Sequence, residues 1–120
     1  MEEKNTKTNI EEADEFELKR TDTKNLSFKG WKLSSSSTWR EGDSRWMEFA
    51  LYKTTGGRFV VHASRMTAWQ GERDFYEAFV AKTIPDVLQK VADDYFSGEM
   101  SDALKDLVSD LDVDLTEHIK

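Results

Sequence analysis

His62 and Glu48 are the residues that most invite a chemical reading. A histidine titrates near neutrality, and a carboxylate beside it would orient the ring for general-base work. Such a base needs a nucleophile or a metal to act on, and neither lies at a helpful spacing. The chain has no cysteine, which removes thiol nucleophiles, disulfides and thiolate metal sites. Asp110, Asp112 and Asp114 alternate like part of a calcium loop, but the turn glycine and the terminal glutamate are missing. Asp93-Asp94 reads as a solvated pair on a helix. Phosphate-loop, dinucleotide, serine-hydrolase and zinc-protease motifs are all lacking. His62 therefore reads as one half of a cross-strand polar pair, and no catalytic, cofactor-binding or metal-ligating residue is assigned.

The element that positions this pair is the segment 45–65, RWMEFALYKTTGGRFVVHASR. Two runs rich in aromatic and β-branched residues flank Thr54-Thr55-Gly56-Gly57, the signature of an antiparallel hairpin. Strand alternation puts Met47, Phe49 and Leu51 on one face, with Trp46, Glu48, Ala50 and Tyr52 on the other. Phe59, Val61 and Ala63 likewise oppose Val60, His62 and Ser64. A three-residue loop with glycine in the left-handed conformation keeps apolar faces together. It predicts Phe49 opposite Val61 and Glu48 opposite His62.

Other elements follow from the same patterns. Residues 15–19 alternate, and residues 25–33 resume a strand in which Gly30 could mark a bulge. The serine run 34–37 fits either a loop or the continuation of a solvated strand. In residues 75–81, Phe75, Glu77, Phe79 and Ala81 share a face. The period then becomes helical: Thr83 suits an N-cap and Pro85 a first turn, and Val87, Leu88, Val91, Ala92, Tyr95 and Phe96 form one stripe closed by Gly98. Ser101 caps a second helix carrying Leu104, Leu107, Val108 and Leu111. The expected fold is α+β: an antiparallel sheet of about five strands, followed by two C-terminal helices packed on one face. Residues 15–111 form the domain, between a disordered acidic tail (1–14) and a fraying one (112–120).

Charge is unevenly spread. Residues 1–14 carry five acids against two lysines, a net −3, and residues 15–85 carry nine acids against twelve bases, a net +3. Residues 86–120 carry ten acids against three lysines, a net −7. The body lacks the dense basic stripe of a duplex-DNA binder, and the acidic third repels nucleic acid, so direct nucleic-acid binding is not expected. No run reaches the ~18 apolar residues of a membrane span. The polar start does not resemble a signal peptide, so a cytoplasmic location is expected.

The four tryptophans suggest a role. A tight turn at 41–44 sets Trp39 opposite Trp46, on the Tyr52 face, and continuing that register brings Leu33 and Trp31 to the same side. Both faces of the sheet are then apolar, while one helical pair covers only one. Sheet curvature, the segment 66–69 or a partner must cover the other. Arginines border this region, and aromatic and arginine side chains are favoured at interfaces. Trp39, Trp46, Tyr52 and Arg58 are accordingly the candidate partner-binding residues of a non-enzymatic interaction module, which would engage another protein or form a homodimer. An alternative is an acidic inhibitor, phage-borne and mimicking nucleic acid, that blocks a basic surface through Asp102, Asp106 and Asp110.

The segments Phe28-Lys29-Gly30-Trp31-Lys32-Leu33 and Leu51-Tyr52-Lys53-Thr54-Thr55-Gly56-Gly57-Arg58-Phe59-Val60-Val61-His62 resemble those of the bacterial EXLDI family. The C-terminal Ser109-Asp110-Leu111-Asp112-Val113 is similar to its closing signature, with serine in place of the leading glutamate. The similarity spans roughly residues 16–113. It implies this fold and a bacterial or phage origin. It implies no activity and carries over no catalytic residue.

Overall fold

The computed structural model describes residues 12–111. The rest of the two expected tails, 1–11 and 112–120, lies outside the described residues. Five strands are followed by two helices: β1 (Asp14–Leu18), β2 (Leu26–Ser37), β3 (Arg45–Thr54), β4 (Phe59–Thr67), β5 (Phe75–Ala81), α1 (Ile84–Tyr95) and α2 (Asp102–Leu107). The strands pair in sequence order as one antiparallel meander. This is the α+β arrangement expected from the sequence.

The helices begin where their caps dictate. Thr83 Oγ1 accepts from the Asp86 amide and Ser101 Oγ from the Leu104 amide, each filling an orphan donor of a first turn. α1 closes with Ser97 in the left-handed region and the Gly98 amide bonded back to the Ala92 carbonyl. α2 ends at Leu107, one turn short of the Leu111 expected from its apolar spacing. α1 lies over β4 and β5, and α2 over β2 and β3. Between helices and sheet, Phe49, Leu51, Val61 and Ala63 meet Val87, Leu88, Val91, Leu104 and Leu107, all fully buried. Burying each of these larger side chains stabilises the fold by roughly 1.5–3 kcal/mol.

The serine run resolves as strand. Ser34 Oγ donates to the Leu107 carbonyl, and Ser36 Oγ donates to the Ala103 carbonyl at 2.7 Å. Two alternate hydroxyls of β2 thus tie the strand to both ends of α2, and the Leu107 carbonyl, at the C-terminal end, is one that the helix leaves unpaired.

Two register expectations are corrected. The β3–β4 loop is three residues long with Gly57 left-handed (φ 87°), as anticipated, but it is Thr55-Gly56-Gly57 rather than one residue earlier. Phe49 therefore faces Ala63, His62 faces Ala50, and Glu48 faces Ser64. A slip of two preserves every face, so the parity argument holds while the Glu48–His62 pairing does not. In β2 the irregularity falls between Lys32 and Ser34, not at Gly30. It turns Leu33 into the helix-side core and places Trp31 beside Lys53, so neither shares the Tyr52 face.

Curvature covers much of the second face. Leu18, Tyr52 and Val60 form a second core with Phe16, Leu26, Phe28, Ala50, Ala78 and Val80, drawn from all five strands. In a flat sheet the outer strands would lie ~19 Å apart at ~4.8 Å per step. Instead the turn after β1 reaches β5: the Thr21 amide donates to the Tyr76 carbonyl, and the Tyr76 amide donates to Thr21 Oγ1, both at 2.9 Å. The β1–β2 hairpin folds over this face, making it concave. Gly30 permits the approach, because a Cβ there would lie 2.0 Å from the Lys53 carbonyl oxygen.

Candidate functional site

Of the expected partner-binding residues, Trp39 and Trp46 lie at the same end of the sheet, Trp39 beside α2 and Trp46 bonded to Glu48, and the other two lie elsewhere. Tyr52 is buried, its ring edge-on to Phe16 and Phe28 at 4.9 and 5.5 Å, so the folded-over hairpin removes its ring from the tryptophan patch. Burial also pushes its phenol pKa up. Arg58 is exposed, but beside the β3–β4 turn at the opposite end of the sheet.

The tryptophan end is built by the loops 38–44 and 68–74, which the meander places side by side. The Ala68 amide donates to the Ser44 carbonyl. Thr38 bonds Met47 through its amide and its Oγ1, carrying the β2–β3 register on toward Trp39 and Trp46. Trp39 and Trp69 are 52% and 54% exposed, the two large apolar side chains most open to solvent among the described residues. Trp46 is half-buried and donates its indole N–H to Glu48 Oε2 at 2.8 Å.

Alongside runs a groove of about 440 Å³ lined by Arg45, Met47, Arg65, Arg73 and Phe75. The Arg45 guanidinium lies over the Trp69 ring at 5.6 Å and donates to both Glu72 oxygens. That bond, with a second from the Thr67 hydroxyl, holds the Glu72 carboxyl below its ordinary pKa. Arg65 lies over the Tyr95 ring at 4.2 Å. Burial drives the Tyr95 phenol pKa strongly upward, helped by its hydrogen bond to Glu77.

The acids of the alternative reading divide. Asp102 and Asp106 sit one turn apart on α2, beside Trp39 and Arg40, whereas Asp110 lies beyond the helix end.

His62 and Glu48 meet indirectly. Both line a cleft of about 450 Å³ on the concave face, where the β1–β2 hairpin leaves it open. Lys32, Tyr52, Ser64 and the serine run from Ser35 to Ser37 complete its polar lining. His62 is fixed: Nε2 donates to the Lys19 carbonyl at 2.6 Å and the ring stacks on Tyr76. A carbonyl can only accept, so Nε2 carries a proton and Nδ1 is the ring nitrogen left for another partner. Sequence reasoning put His62, Ser64 and Tyr52 on this face but missed Lys32, because the β2 irregularity sets its parity. It also missed Trp69 as a surface residue, since a loop has no periodicity to read. Among the described residues no cluster of three metal-ligating side chains occurs, and no helix is long and apolar enough to cross a membrane. Comparison of the chain with family models, with curated proteins and with solved structures returns no match.

Proposed function

We propose that the protein is a non-enzymatic interaction module that binds a protein partner through the tryptophan end of its sheet, with Trp39, Trp46 and Trp69 as apolar anchors. The observation that supports this is the exposure of Trp39 and Trp69 on adjacent loops. Exposing two indoles to water is unfavourable, and tryptophan and arginine dominate the energetic centres of interfaces. The neighbouring groove holds three arginines against one glutamate, so it favours a partner segment that alternates apolar and acidic side chains.

The test compares the wild-type protein with a Trp39→Ser/Trp69→Ser double variant as bait in a lysate of the source cells, alongside light scattering of each alone. A protein retained by the wild type and lost by the variant is expected. Retention of the same proteins by both, or by neither, overturns the reading. A dimer that the double substitution dissociates identifies the partner as a second copy.

A further inference from the structure

The concave-face cleft holds two buried hydroxyls that the fold itself does not use. Ser64 and Tyr52 are 7% and 6% exposed and both line the cleft, yet neither hydroxyl bonds to another described residue. Hydroxyls that the fold leaves unused beside a cleft are available to a ligand, as donors and as acceptors. Around them stand two charges of opposite sign. Lys32, opposite Tyr52, forms no ion pair with a described residue, and Glu48, opposite Ser64, uses one oxygen for Trp46. Their positions are separated by four residues of β3, about 13 Å at ~3.3 Å per residue. His62 adds a second ring nitrogen on a side chain that the Lys19 carbonyl and Tyr76 hold still.

This is a polar trough with a cation at one end, a carboxylate at the other, and groups that both donate and accept between them. A simple anion would meet Glu48, and a simple cation would meet Lys32. A ligand with opposite charges at its two ends and amides between them satisfies all of these groups. An extended tripeptide spans ~10 Å, and the reach of the two charged side chains covers the remainder.

We propose that this cleft binds a short peptide with free termini, its carboxylate at Lys32, its ammonium at Glu48, and its amide groups on the Tyr52 and Ser64 hydroxyls and His62. The site adjoins the tryptophan end, with which it shares the Trp46–Glu48 hydrogen bond, but its ligand contacts are not the exposed Trp39 and Trp69.

The experiment is an amide NMR titration of the full chain with a pool of tripeptides of varied central side chain. The same pool is then tested N-acetylated, C-amidated and doubly blocked. Shifts confined to the backbone around residues 32, 48–52 and 62–64 are expected, with each single block weakening binding about tenfold. Lys32→Ala should abolish the response to amidation, and Glu48→Gln the response to acetylation. Both side chains are exposed, so the variants keep the fold. Absence of localised shifts, or shifts indifferent to double blocking, overturns the proposal. An equal response to acetate or inorganic phosphate overturns it too, and reassigns Lys32 as an anion contact.

Discussion

The two faces of one sheet bury apolar side chains in different ways. On the helix side, β3 and β4 meet two capped helices, and the core is a continuous set of fully buried aliphatic and aromatic groups. On the concave side, the sheet covers itself: Phe16 and Phe28 of the β1–β2 hairpin close over Tyr52, and only part of the face is sealed. The remainder is the polar cleft. Stability is thus concentrated on the helix face, while the concave face trades some of it for an opening lined by hydroxyls and charges. A face covered by a neighbouring hairpin can leave such a gap because few atoms close it, whereas a helix pair fills its side to interior packing density.

Mutations that empty each side sharpen this contrast. Phe49→Ala on the helix face should cost about 3–5 kcal/mol of unfolding free energy, the range for a buried phenylalanine, read by denaturant titration. Gly30→Ala should cost about 1–3 kcal/mol or more, because the colliding atom is backbone. Its loss should be local, with faster hydrogen exchange at the Thr21 and Tyr76 amides and the helix-face core intact. Phe16→Ala, at a half-buried ring, should cost about 1–2 kcal/mol, a fraction of a full core deletion. If Phe16→Ala proves as damaging as Phe49→Ala, the two faces are one cooperative core and the comparison fails.

The smallest effect is alkaline. Burial raises the phenol pKa of Tyr95 on the helix face and of Tyr52 on the concave face, Tyr95 the more strongly. The unfolded chain ionises first, near pH ~10. Below that pH these groups contribute their full stability, and above it the contribution is lost as pH climbs toward the folded values. The melting temperature should therefore fall above about pH 10, and Tyr95→Phe should flatten that fall more than Tyr52→Phe. An equal effect of the two substitutions would show that the faces are desolvated alike.

Much of this architecture was legible in residue order. Alternation assigned Phe49 and Leu51 to one face and Tyr52 and His62 to the other, and a slip of two residues left those faces unchanged. Thr83 and Ser101 marked the helix starts because capping is local chemistry. The proposed interaction surface was half legible. Trp39 and Trp46 follow from strand register and a tight turn, but Trp69 belongs to a loop.

What the sequence by itself determined is the set of elements, their caps, the three-residue glycine turn and the side of the sheet on which most strand side chains fall. These depend on dihedral preferences and periodicities that act over a few residues. Only the tertiary structure decided that the serine run is strand, since its hydroxyls answer carbonyls about seventy residues away. It also decided that Tyr52 is covered and Arg58 remote, and that Lys32, Glu48 and His62 share one cleft. Each of these outcomes depends on how far the sheet curls, a sum of small twists over five strands together with the irregularity after Lys32. No short segment encodes such a sum.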